Sequence, residues 1–252
     1  MSPACGLDRH LAGAPSDAAK RPPIAAPDAA LFLAGPCVAG DPPGPKLYFF
    51  KNGRFASWDV LEERPDPGYP REIAGAWPGL LEAGGGRALR GALHVPAWGR
   101  TAYFFFESLD QAVPWDLDRG AVAGPPIPVS TILPGGFAPG DVTPVYAQRA
   151  DGEGVIYAFQ GYDFQSWRAG TGFPAAPEQA TPRKIASEWK DGLVLAPRTG
   201  VYVEWPNRSS AHSNRKIYFF MGDLYLRWDV PSHTRNYRLD VVTGWKGWPA
   251  FA

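Results

Sequence analysis

His94 is the one histidine of this chain that falls within a predicted strand, Arg90-Gly-Ala-Leu-His-Val95. An imidazole so placed could exchange a proton near neutral pH. Three other stretches read the same way: Asp28 to Leu33, Asp141 to Ala147, and Thr199 to Val203. Aligning the four puts Phe32, His94, Tyr146 and Tyr202 at one level. Two residues earlier stand Ala30, Ala92, Pro144 and Gly200, and two earlier again Asp28, Arg90, Val142 and Arg198, with Asp141 the other choice in the third stretch. Strand alternation gives all three levels a common face. If that face lines a channel, the rings could stack on a small molecule and the imidazole or hydroxyls could bond it or move a proton. Arg90 or Arg198 could clamp an anion. The plainer reading is that the face packs against neighbouring sheets and that His94 is a hydrogen-bonded core residue. Metal or haem ligation wants a second ligand nearby, and His10, His212 and His233 lie in a leader and in loops.

Known catalytic signatures are absent. There is no Gly-x-Ser-x-Gly, His-Glu-x-x-His, Cys-x-x-Cys or phosphate-binding Gly-x-x-x-x-Gly-Lys. Asn207-Arg208-Ser209 has the form of a glycosylation sequon and reads as a polar insertion. Cys5 and Cys37 are two thiols whose pairing the sequence leaves open.

The elements that would hold these residues are set by a repeated phrase. Lys46-Leu-Tyr-Phe-Phe-Lys-Asn-Gly-Arg-Phe-Ala-Ser-Trp58-Asp59 reads as a hairpin turning on Asn52-Gly53. Its strand tyrosine recurs as Tyr103, Tyr157 and Tyr218, at intervals of 55, 54 and 61 residues. Each copy then closes on a pair four residues apart: Ile73 and Trp77, Val129 and Leu133, Ile185 and Trp189, Val241 and Trp245. That spacing places both members on one face of a short helix. Pro70 is expected in the first turn of one such helix, and Thr181 with Pro182 at the start of another. Four units, each too small to bury its own faces, must stack on one another. The sequence therefore predicts an all-β, four-bladed β-propeller with a short helix ending each blade. A leader is expected over 1–24, with blades at about 25–83, 84–138, 139–194 and 195–252. The Trp-Asp dipeptides at 58, 115 and 228 do not make this a WD40 array, because the period is too long and the Gly-His partner is missing.

Composition agrees. The chain has 252 residues, 45% hydrophobic and 20% charged, with 10 Trp, and its Gly 29 and Pro 28 punctuate hydrophobic strands as turns. Net charge is zero and no Lys/Arg run stands out, so nothing suggests nucleic acid. No apolar run approaches the ~18 residues of a membrane span. The amino terminus lacks the order of a secretory signal, so cytoplasmic residence is the default. Seven of the tryptophans recur at equivalent places, the mark of core. Trp98 and Trp205 fall outside the pattern and are better candidates for an exposed contact.

The repeat resembles the hemopexin-like repeat. Asp28-Ala29, Tyr48-Phe49-Phe50-Lys51, Trp58 and the run from Pro67 to Leu80 match its phrase nearly word for word in the first copy. The similarity covers about residues 25–252 and is looser in the second and third copies. It implies a propeller with a central tunnel and a tunnel ion (calcium, sodium or chloride), for which Asp28 is the metal candidate; no other cofactor is expected. The chain ends without the cysteine that ties first to last blade in the animal domains, so it looks closer to the hemopexin-fold proteins of plants, fungi and bacteria, a bacterial type being expected. Haem, polyamine, carbohydrate and protein partners are the precedents the resemblance supplies.

Three functions stay open. The first is binding of a small molecule or glycan at the tunnel mouth through Phe32, Arg90, His94, Tyr146, Arg198 and Tyr202. The second is a cyclase- or isomerase-type enzyme with His94, Tyr146 and Tyr202 as its acid/base set. The third is a scaffold using the loops Ala34 to Pro45 and Pro206 to Asn214. A protein partner or homo-dimer is compatible with each.

Overall fold

A computed structural model describes residues 26–137, 141–170, 173–189, 193–205, 214–230, 234–245 and 248. The expected leader with Cys5 and His10, the sequon, His212 and His233 lie outside the described residues. Four antiparallel sheets follow one another along the chain. Their three long strands are Ala29–Leu33, Lys46–Lys51 and Arg54–Asp59 in the first, and Leu89–His94, Thr101–Phe106 and Gln111–Asp116 in the second. The third has Thr143–Gln148, Gly154–Gln160 and Asp163–Arg168; the fourth has Thr199–Glu204, Arg215–Met221 and Leu224–Asp229, with Thr234–Asp240 outermost. In the first three sheets the outer edge is only a pair of two-residue strands. The first strands of successive sheets touch in a closed ring, first to second, third, fourth and back to first. This is a four-bladed β-propeller.

Local chemistry sets the hairpins. Asn52 and Gly53 both take positive φ, 50° and 76°, the conformation that a two-residue hairpin turn requires and that other side chains resist. The closing pairs form single helical turns at Ile73–Ala76, Val129–Ile132, Ile185–Glu188 and Val241–Gly244. In each, the N–H of the second partner donates to the carbonyl of the first, at 2.7 Å from Trp77 to Ile73 and 2.9 Å from Trp189 to Ile185. The helix starts differ from the sequence reading. Pro70 precedes a strand residue, Arg71, and Thr181-Pro182 precede the strand Arg183–Lys184, so neither opens a helix. Edge pairing with the third strand takes those residues before the helix can begin.

Between blades the seams are aromatic. Trp77 of blade one packs on Trp115 of blade two at 5.1 Å, Trp189 on Trp228 at 4.8 Å, and Trp245 on Trp58 of blade one at 5.1 Å. The seam between blades two and three lacks the helix-end indole. There Leu133, Ile132 and Phe137 surround Trp167, whose Nε1–H donates to the Pro134 carbonyl at 3.0 Å. The first-to-last closure is completed by Phe49 against Phe220 at 5.8 Å and Trp248 at 4.9 Å, and by the Ala26 N–H donating to the Gly222 carbonyl at 2.9 Å.

Inside blade one a charge is buried. Lys46 is fully buried and its Nζ donates to Asp59 at 2.8 Å and Asp66 at 3.0 Å, while Ser57 donates to Asp66 at 2.6 Å. Blade four repeats the motif with Lys216 and Asp229 at 2.6 Å. In blades one and four the Trp-Asp dipeptide thus combines a seam indole with a carboxylate that neutralises a lysine, Lys46 or Lys216, near the start of the second strand.

Two measurements test this. W245A should destabilise the fold by about 3–5 kcal/mol in denaturant unfolding, as expected for emptying a large buried site. Burial alone would raise the Asp59 carboxyl, but the Lys46 ammonium and the N–H groups of Glu62 and Leu61 outweigh it and hold it low. Its stabilisation is therefore present at neutral pH and is lost as pH falls through that lowered value. Wild type should be the more stable at about pH 7, and its margin over D59N should shrink as pH falls below the ordinary carboxylate value of about 4.

Candidate functional site

The inner strands meet the axis with their edges, not with one face. Ala29, Leu31 and Leu33 pack into the seam with blade two, whereas Ala30 and Phe32 pack toward blade four. Val145 and Tyr202 likewise share the seam between blades three and four, while Val201 turns to blade one. Blades radiate from the axis, so both faces of each sheet are claimed by neighbours. The choice between a tunnel-lining face and a packing face was therefore the wrong alternative: the strand edges, with flanking atoms from both faces, line the tunnel.

The levels stand nonetheless. Phe32, His94, Tyr146 and Tyr202 pair with Leu47, Ala102, Ile156 and Ile217, equivalent positions of the four second strands. They surround a cavity of about 280 Å³ at the end of the tunnel where the inner strands finish. Ala30, Ala92 and Gly200 lie deeper in its wall, and Pro96, Gly99 and Arg100 line it from the connection after the second inner strand. Sequence reasoning missed those three because that connection lies outside the repeat pattern. Gly200 is fixed by contact: a Cβ there would stand 2.6 Å from Val145 Cγ2 and 3.1 Å from Phe219.

The cavity is aromatic and uncharged around its strands. The rings of Tyr146 and Tyr202 meet edge-on, 6.0 Å apart at 84°. Burial, and after it the charge of Glu204, raises the pKa of both phenols, so neither is a base at neutral pH. The Tyr202 hydroxyl is buried without a hydrogen-bond partner among the described residues. His94 Nε2 lies 3.2 Å from the Gly99 carbonyl, which fits an Nε2–H donor and leaves Nδ1 as an acceptor. Burial lowers the His94 pKa, and the imidazole is neutral at pH 7. No hydrogen bond joins His94, Tyr146 and Tyr202 among the described residues. Arg100, the one cation of the lining, pairs with Asp118 at 2.9 Å.

The opposite end of the inner strands is charged. Arg198 of blade four reaches Asp28 of blade one with Nη2 at 2.6 Å and Nε at 3.0 Å, both to Oδ1. Asp28 Oδ2 accepts the Asn52 N–H at 3.1 Å. Arg90 sits at a register shift between Leu89 and Gly91, a bulge that re-aims its side chain. Val142 is buried in the seam between blades two and three, and Asp141 accepts the Ser108 N–H at 2.8 Å. Asp28 does not fit a metal: its oxygens are engaged, a guanidinium faces it, and the described residues hold no group of three His, Cys, Asp or Glu side chains close enough to share an ion.

One expectation changes on burial, that for Trp205. Trp205 is only 5% exposed and packs near Tyr218, so it is core. Trp98 is half-buried, lies edge-on to Phe173 at 5.4 Å and donates its Nε1–H to the Gly170 carbonyl at 3.2 Å. Cys37 is a free thiol pushed up to about 12 by burial, which makes it inert. No helix among the described residues is long and apolar enough to cross a membrane.

Comparison with known proteins bears on the fold. The family model named Hemopexin matches residues 42–80, within the first repeat. Solved structures that superimpose include a hemopexin fold protein from cow pea (TM-score 0.60, 14% identity, 87% of this chain and 96% of that one). A seed albumin from Lathyrus sativus matches at TM-score 0.60 and 16% identity, over 89% and 96% of the two chains. A plant lectin with two metal binding sites from Cicer arietinum matches at TM-score 0.61 and 13% identity, over 87% and 95%. A search of curated proteins found no match. The likeness is one of fold: the chain is a four-bladed β-propeller that superimposes on hemopexin-fold proteins.

His94 gives this site a pH signature. Its lowered folded value means the unfolded chain binds more protons below the ordinary ~6.5. Wild-type stability should therefore fall between about pH 7 and about pH 5, and H94Q should lose less over the same range. Thermal unfolding of both proteins across that range checks it.

Proposed function

We propose that this propeller binds a small molecule in the aromatic chamber at the tunnel mouth. The observation that carries the reading is the convergence of Phe32, His94, Tyr146 and Tyr202, one from each blade, on a single cavity. Ligand pockets are typically concave, mainly apolar, and furnished with a few placed polar groups. The chamber has this character: its wall is ring and small aliphatic surface, with His94 Nδ1 as an acceptor and Arg100 as a cation. Among the described residues no carboxylate belongs to its lining, which favours neutral or weakly anionic ligands over cationic ones. At about 280 Å³ it accepts a compact ligand of one or two rings.

A terminal sugar is the second reading. It is supported by the lectin from Cicer arietinum and by a plant albumin from the same source described as showing hemagglutination, the latter at 13% identity and TM-score 0.57 over 86% of this chain and 94% of that one. The acid/base reading of His94, Tyr146 and Tyr202 has less support, since among the described residues only the Gly99 carbonyl bonds the imidazole and both phenols are held protonated. Of the scaffold loops, most of Pro206 to Asn214 lies outside the described residues.

Ligand-observed NMR with neutral heteroaromatic fragments, monosaccharides, polyamines and small organic acids tests the proposal. A binder from the first two groups should lose roughly tenfold or more in affinity on the double substitution F32A/Y146A, a change of about 1.4 kcal/mol or more. Equal affinity for the folded double variant would contradict chamber binding, and selective binding of polyamines would overturn the inferred charge preference.

A further inference from the structure

At the end of the inner strands away from the chamber, Arg198 takes the Asp28 carboxylate and Arg90 is left without an ion-pair partner among the described residues. Asp28 Oδ1 is held by two N–H groups of Arg198 and Oδ2 by the Asn52 N–H. Arg90, projected from the bulge at Leu89/Gly91, forms no ion pair among the described residues, and its Nε is buried with no acceptor. We propose that this mouth binds a small oxyanion, a carboxylate or phosphate group, on the Arg90 guanidinium, and that it does not hold the metal cation implied by the hemopexin resemblance.

Charge and geometry favour the anion. A cation at Asp28 would have to displace Arg198 from its two bonds and then sit beside free guanidinium groups. An oxyanion meets no such barrier at Arg90, whose guanidinium has no ion pair to give up among the described residues. Unmade bonds to buried donors are costly, and those to charged donors the more so. A guanidinium also presents paired N–H groups spaced to match two oxygens of one carboxylate or phosphate, a match that a single spherical ion cannot reproduce. Burial first, then the positive charge of Arg198, lowers the Arg90 pKa, while Asp141, Glu107 and Asp28 act against that shift.

The test is thermal unfolding of the full chain in a buffer free of chloride and oxyanions other than the one added. Phosphate, acetate, sodium chloride and calcium chloride are titrated separately, with ³¹P NMR line width as a second readout for phosphate. Near ten times its dissociation constant, phosphate or acetate should raise the wild-type midpoint by roughly 2–4 °C. Sodium chloride should do less, and calcium chloride no more than its chloride accounts for. R90Q should abolish the oxyanion shift and the phosphate line broadening. R90K keeps the charge without the fork and should weaken oxyanion binding about tenfold or more; it carries the test if R90Q does not fold. A calcium shift beyond that of chloride, chloride equal to phosphate and acetate, or an oxyanion response unchanged in the folded variants would each overturn the proposal.

Discussion

An indole wedged between blades is the constraint on which the rest of this molecule depends. Each sheet is apolar on both faces and could not stand alone in water. Closing four of them into a ring requires seams of matched thickness, and Trp77, Trp189 and Trp245 set that thickness at three of them by packing on Trp115, Trp228 and Trp58 of the following blade. Large rings suit this role because they bury much area with few rotatable bonds, and edge-on contacts recur along the seams. Where Leu133 replaces the indole, Phe137 and Ile132 make up volume around Trp167. The first-to-last seam joins residues far apart in sequence. Phe49, Phe220, Trp245 and Trp248 close it, assisted by the Asp28–Arg198 ion pair.

The tunnel follows from that ring. Because neighbours occupy both faces of every blade, only the edges of the inner strands remain to line the axis. Ala30, Ala92, Pro144 and Gly200 share one level in the strand register, and small or compact side chains there let the four strands approach. Below and above that level the two ends diverge in chemistry. One collects rings and a neutral imidazole; the other collects two arginines and an aspartate. The buried lysine–aspartate pairs of blades one and four serve the blades, tying second strand to third, and take no part in either mouth.

Much of this was legible in the sequence because it is periodic. The strand tyrosines, the closing pairs and the Asn-Gly turn all rest on local rules, and each appears in place. The level of Phe32, His94, Tyr146 and Tyr202 could be read for the same reason. What escaped was whatever depends on how blades meet. Alternation separates two faces of a strand, so it offered a false choice when the relevant surface was an edge. Trp205 looked exposed because it breaks the repeat, yet the fourth inner strand delivers it into the seam with blade one. Pro70 and Thr181 looked like helix starts by local preference, and edge-strand pairing overrode it. Arg100 on the chamber rim carries no sequence signal, since its place comes from the turn Pro96–Trp98 folding over the mouth. The bulge at Arg90 was invisible for a similar cause: a one-residue irregularity leaves no periodic trace.

The ring of blades brings Phe32, His94, Tyr146 and Tyr202 to one level around a cavity, and the proposal is that this chamber holds a ligand. A crystal structure of the protein soaked with the first compound shown to raise its unfolding midpoint tests this most directly. The account predicts ligand density at the tunnel mouth, against Phe32, Tyr146 and Tyr202 and within hydrogen-bond reach of His94. Ordered water in the chamber, with the compound seated on a blade flank or an outer loop, would contradict it.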